Sequence, residues 1–131
     1  MDVKSKEEII KFAQKLNSTN LSPLRSGNIS LKFQDNNEEG FLITPSGKKY
    51  DSLKADDIVF VSLKGKYDEQ GLQPSSEWRF HKDIYLKKTD AKAVVHAHSP
   101  HATAVSAHNK DIPAFHYMIA LAGGDNIKCA K

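Results

Sequence analysis

The chain has 131 residues, 39% of them hydrophobic, with 19 Lys and Arg against 16 Asp and Glu for a net charge of +3. That length fits one domain able to bury a core, and the lysines are scattered among acidic residues, giving no basic stripe that would argue for a nucleic-acid partner. No apolar run approaches the ~20 residues that span a bilayer, MDVKSKEEII lacks the apolar core of an export signal, and the single Cys129 excludes an internal disulfide, so a cytoplasmic protein without a membrane partner is expected.

Taken in chain order, Ser5 and Glu8 have capping-box spacing, and Ile9, Ile10, Phe12, Ala13 and Leu16 form an apolar stripe, which predicts a helix over 5–17. NISLKF and GFLITP then alternate as strands joined by a polar turn, and DIVFVSLKGKY reads as another strand entering a turn at Lys64-Gly65. SSEWRFHKDIYLKK returns to helical spacing, with Ser75 or Ser76 as its cap and Lys87 and Lys88 suiting its carboxyl end. Ala93 to Ala97 reads as a buried strand, and Ser99-Pro100 opens a further helix with proline at its first position. The pattern is α/β, with helices packed on a largely antiparallel sheet.

VVHAHSPH places His96 and His98 at i and i+2, on one face if the strand continues, where two imidazoles can converge on one ion. The same spacing also suits a polar strand end. His101 is a further candidate beyond the proline, whereas His81 and His108 read as solvated helix histidines. SGNIS, TPSGKKY and QPSSEW carry glycine turns, hydroxyls and a helix amino terminus, the donors a phosphate uses, although each alone also suits a bend or a cap. Glu77 follows the paired serines and would ordinarily be a surface residue favouring the helix dipole.

GNIS, LITPSGKKYDSL, PSSEWRFH, AVVHAHSPHATAVS and IPAFHYMIALAGGDNIKCA occur in the order and spacing of the class II aldolase/adducin family, which the chain resembles from about Gly27 to its last residue. The resemblance implies a three-layer α/β/α domain over residues 1–131 with its carboxyl-terminal part absent, assembling as a homotetramer with active sites at subunit boundaries. It implies a Zn2+ cofactor on His96 and His98, a catalytic carboxylate at Glu77 and a proton donor at Tyr117. The phosphate of a small-molecule sugar phosphate would fall to Gly27, Asn28, Ser46, Gly47, Ser75 and Ser76. The reaction implied is cleavage of a ketose 1-phosphate to dihydroxyacetone phosphate and an aldehyde, zinc acting as a Lewis acid.

Sugar-phosphate epimerases and dehydratases of the family share the zinc and phosphate parts, and adducin-like members keep the fold as a non-catalytic binding or assembly module. The family completes its metal site with a third histidine from a downstream His-His-Gly, which the sequence does not contain before Lys131. A truncated domain that binds zinc weakly or not at all, inactive without the downstream segment and prone to self-association, is therefore expected. The resemblance assigns the third-ligand role to none of His101, His108 and His116, and His116 beside Tyr117 reads as a wall or packing residue.

Overall fold

In a computed structural model, which describes residues 3–24 and 26–130, the chain forms two compact units, Met1–Ala97 and His98–Lys131. The first unit opens with helix α1, Val3–Ser18, which buries Ile9, Ala13 and Leu16 at the i, i+4, i+7 spacing of one helix face. Ser5 lies inside this helix and so is not its cap, because helical backbone already begins at Val3.

Strands β1, Asn28–Asp35, and β2, Glu38–Ile43, form a hairpin in which Asp35 pairs with Glu38 across a two-residue loop. Both loop residues, Asn36 and Asn37, have positive φ (44° and 68°), which matches the right-handed twist of the flanking strands. Strand β3, Val59–Ser62, pairs antiparallel with β2, and β4, Ala93–His96, pairs antiparallel with β1. The sheet order is β3-β2-β1-β4. Among the described residues β4 pairs with β1 alone, and the apolar run is only partly buried: Val94 is buried, but Val95 is 58% exposed.

Alternation along the strands gives the sheet two apolar faces. Ile29 and Leu42, with Leu31, Phe33 and Phe60, pack with the α1 residues. Phe41, Ile43, Val61 and Val94 pack on the other side against Trp78 and Tyr85 of helix α2, Trp78–Lys87. This is the expected three-layer arrangement, helix, antiparallel sheet, helix. The serines do not cap α2: Glu77 occupies the N-cap position without a side-chain cap bond. Ser75 is held in extended pairing instead, its N–H donating to Thr44 O at 3.0 Å beside the Pro45–Pro74 bridge.

The second unit contains helix α3, Pro100–Ser106, with proline in its first turn as expected, and a 3-10 segment, Tyr117–Ala122, ending at Gly123 in the left-handed region. Ile112 and Ile127 exchange two backbone hydrogen bonds of 3.0 Å, and Asp111 accepts from Lys128 Nζ at 2.9 Å and Cys129 N at 2.8 Å. Among the described residues of this unit, only Ile119 is buried.

Candidate functional site

The amino end of β1, the end of β4 and the start of α2 meet at Glu77. Its Oε2 accepts from Asn28 Nδ2 at 2.5 Å and lies 2.8 Å from His96 Nδ1. Asn28 and His96 are register partners in the β1–β4 pairing, so the sheet itself sets the spacing of the two groups that flank the carboxylate. The Phe80 ring stands edge-on to the His96 imidazole, with centroids 5.2 Å apart and planes at 88°.

One ligand atom each of Glu77, His96 and His98 lies within 4.8 Å of the others. Two imidazole nitrogens and a carboxylate oxygen at that separation are a donor set that suits a borderline divalent cation such as zinc. The strand ends at His96, and His98 is exposed two residues beyond it.

The six residues singled out for phosphate lie on three segments that are joined by backbone bonds. Ile29 and Thr44 link the first two, Thr44 N donating to Ile29 O at 3.1 Å, and Ser46 N donates to Gln73 O at 2.9 Å to bring the third alongside. Gly27, Asn28 and Ser75 are buried, while Ser46, Gly47 and Ser76 are exposed. Gly27 is required twice over. Its φ is +79°, and a Cβ there would fall 2.5 Å from His96 O and 2.6 Å from Ser22 Oγ. Gly47 also has positive φ, +74°, but a Cβ there would meet nothing within 4 Å, so the turn leaves open space beside its backbone. Tyr50 donates to Gly27 O from a buried position, and that burial raises its pKa.

Tyr117 is 80% exposed in the second unit, its ring 4.4 Å from that of His116. His116 is exposed and caps the 3-10 segment, its Nδ1 accepting from Met118 N at 3.2 Å. His108 is exposed, in the turn after α3.

His81 corrects the sequence reading most sharply, since it is 0% exposed. Its Nε2 bonds Asn28 Oδ1, its Nδ1 lies 2.7 Å from Ser30 Oγ, and Ser30 Oγ lies 2.8 Å from Tyr85 OH. Burial, followed by the nearby His96, lowers the His81 pKa to about 4, with Glu77 opposing. Burial also raises Tyr85 to about 12, against hydrogen bonds from Ser30 and the Val94 backbone. A single histidine on a helix carries no mark of this. The available signal is joint: Glu77, His81 and Tyr85 recur at i, i+4 and i+8, while Asn28 and Ser30 sit at i and i+2 of a strand, on the face opposite Ile29, Leu31 and Phe33.

Comparison with known proteins identifies the relatives of this chain. The model of the class II aldolase and adducin N-terminal domain matches residues 7–131. The chain is 48% identical over 123 residues to an L-fuculose phosphate aldolase of Escherichia coli strain K12, covering 94% of this chain and 55% of that protein. It is 43% identical over 127 residues to a 5-methylthioribulose-1-phosphate/5-deoxyribulose-1-phosphate aldolase of Escherichia coli O45:K1, covering 97% and 57%. A solved L-fuculose 1-phosphate aldolase superposes with a TM-score of 0.87 at 36% identity, covering 98% of this chain and 59% of that one. The chain thus spans a little over half the length of these relatives.

Proposed function

The chain belongs to the class II aldolase and adducin family, and from that premise we propose that it is the amino-terminal part of a zinc-dependent aldolase that cleaves a ketose 1-phosphate, of the L-fuculose 1-phosphate kind, to dihydroxyacetone phosphate and an aldehyde. The observation that carries the reading is the placement of Glu77, between Asn28 Nδ2 and His96 Nδ1 and with a carboxylate oxygen within 4.8 Å of a ring nitrogen of His98. An adducin-like assembly module has no need of a carboxylate held between a buried amide and an imidazole.

His96 and His98 are the residues that would hold zinc, which as a Lewis acid would favour negative charge on the substrate oxygens when the carbon–carbon bond breaks. Glu77 is assigned the proton of the nucleophilic carbon, a role that needs a carboxylate aimed by fixed neighbours and not swinging in solvent. Tyr117 is assigned the proton delivered to the oxygen of the aldehyde fragment. Gly27, Asn28, Ser46, Gly47, Ser75 and Ser76 are assigned the phosphate, where backbone N–H groups and hydroxyls supply donors without adding competing negative charge.

The methylthioribulose relative is nearly as similar as the fuculose one, so the phosphorylated three-carbon end is the common part of the proposed substrate and the aldehyde end is the variable part. A homotetramer is proposed for the assembly on the family resemblance. The test is an assay for dihydroxyacetone phosphate released from L-fuculose 1-phosphate and from 5-deoxyribulose 1-phosphate by the protein that carries this chain. Release from at least one, lost on chelation and restored by zinc, supports the reading. Epimerised or dehydrated product without cleavage would move the protein to another reaction of its family.

A further inference from the structure

The buried chain behind Glu77 has a direction, and that direction follows from what each group can donate. A carboxylate accepts only, so the Asn28 group 2.5 Å from Glu77 Oε2 is the amide nitrogen, as placed. Asn28 Oδ1 therefore faces His81 and accepts, which puts a proton on His81 Nε2. A neutral imidazole has one proton, so Nδ1 accepts, and the group that donates to it is the Ser30 hydroxyl at 2.7 Å. Having given its one hydrogen, Ser30 Oγ accepts from Tyr85 OH at 2.8 Å, and Tyr85 in turn is bonded by the Val94 backbone. Every bond from Tyr85 to Glu77 points the same way, and such chains polarise one another cooperatively.

Ser30, Asn28, His81 and Tyr85 are each buried within the α2–sheet layer, where an unsatisfied polar group would cost stability unless the set closes on itself. It closes at the one end that reaches partial solvent, Glu77, whose side chain is 39% exposed. We propose that His81, with its proton on Nε2, is a positioning residue for Glu77: it locks the Asn28 carboxamide with Nδ2 toward the carboxylate, with Ser30 and Tyr85 fixing the tautomer. This rests on the reading of Glu77 as the group that moves the substrate proton. Removing any link leaves Asn28 free to turn its oxygen toward Glu77, which would repel the carboxylate and misaim it.

Two readouts test this separately. Ring-nitrogen NMR of histidine-labelled wild-type chain at pH 7 should show the His81 proton on Nε2, and the Asn28 side-chain amide protons should be at least ~10-fold more protected from exchange than in His81→Phe. A proton on Nδ1, or equal Asn28 protection in the two proteins, overturns the proposal. In the cleavage assay, Ser30→Ala and Tyr85→Phe should each lower kcat about tenfold with KM for the sugar phosphate unchanged, as expected for a group that orients another. Wild-type kcat in both, alongside loss of turnover in Glu77→Gln, would overturn the positioning role while sparing that of Glu77. Wild-type turnover in Glu77→Gln would instead remove the proton-moving reading, and the tautomer and Asn28 protection would still decide the directional chain.

Discussion

Glu77 is held by one neutral donor and one imidazole, Asn28 Nδ2 at 2.5 Å and His96 Nδ1 at 2.8 Å. Glu77→Gln keeps the shape and removes the base. Turnover should fall by about 10² or more, while zinc affinity by calorimetry should stay near wild type and His96→Ala should lower it at least tenfold. Equal losses of affinity in both variants would make Glu77 a metal ligand first. Gly27 supports the same corner through its backbone: Gly27→Ala combines a left-handed φ with overlap on His96 O, and should cost on the order of 2 to 4 kcal/mol in urea unfolding. His81 adds a pH dependence. Its folded pKa, about 4, lies below the ordinary histidine value of 6.5, so the unfolded chain binds the extra proton between these values. The stability from neutral His81 is therefore present above pH 6.5 and is lost as pH falls toward 4, by about 3 kcal/mol in total. Urea unfolding from pH 7 to pH 5 should show this slope in wild type and a shallower one in His81→Gln; equal slopes would contradict the burial argument.

At the scale of elements, α2 and β1 do two jobs with one pattern. Helix positions 78, 81 and 85 face the sheet, so the residues that fill the core also bring His81 and Tyr85 over Ser30. Much of the element order is legible in the sequence, because apolar periodicity and turn chemistry are local. The Asn36-Asn37 hairpin, the α2 span and the proline start of α3 all follow from neighbours within a few residues. What local pattern does not carry is how many strands a strand pairs with: Ala93 to Ala97 reads as buried, yet among the described residues β4 pairs with β1 alone. Cap assignments fail for a related reason, since the pairing of Ser75 with Thr44, 31 positions away, decides the backbone of Ser75. His96 is singled out by its spacing from His98, whereas the roles of Asn28 and Glu77 come through the family resemblance, because strand register and helix packing, and not sequence proximity, bring them to His96. Phe41→Ala tests the element-scale account: Phe41 is fully buried and its ring lies 5.3 Å from that of Tyr85, so the variant should lose about 3 to 5 kcal/mol. A loss below ~1 kcal/mol would mean that the α2 layer is not packed as described.

For the whole molecule, the three layers of the first unit hold the sheet end, and with it Asn28, Glu77 and His96, in register. The chain covers 55% of the fuculose phosphate aldolase and 57% of the methylthioribulose-phosphate aldolase it resembles, so the activity proposed belongs to the protein that carries it. The reaction proposed breaks a carbon–carbon bond with zinc at His96 and His98 and with Glu77 moving the proton. The most direct measurement follows dihydroxyacetone phosphate released from L-fuculose 1-phosphate by zinc-loaded wild type, chelated wild type and zinc-loaded Glu77→Gln. Release is expected from the first, none from the second until zinc is restored, and at least ~100-fold slower release from the third. Release that is indifferent to both chelation and Glu77→Gln would contradict the proposed reaction.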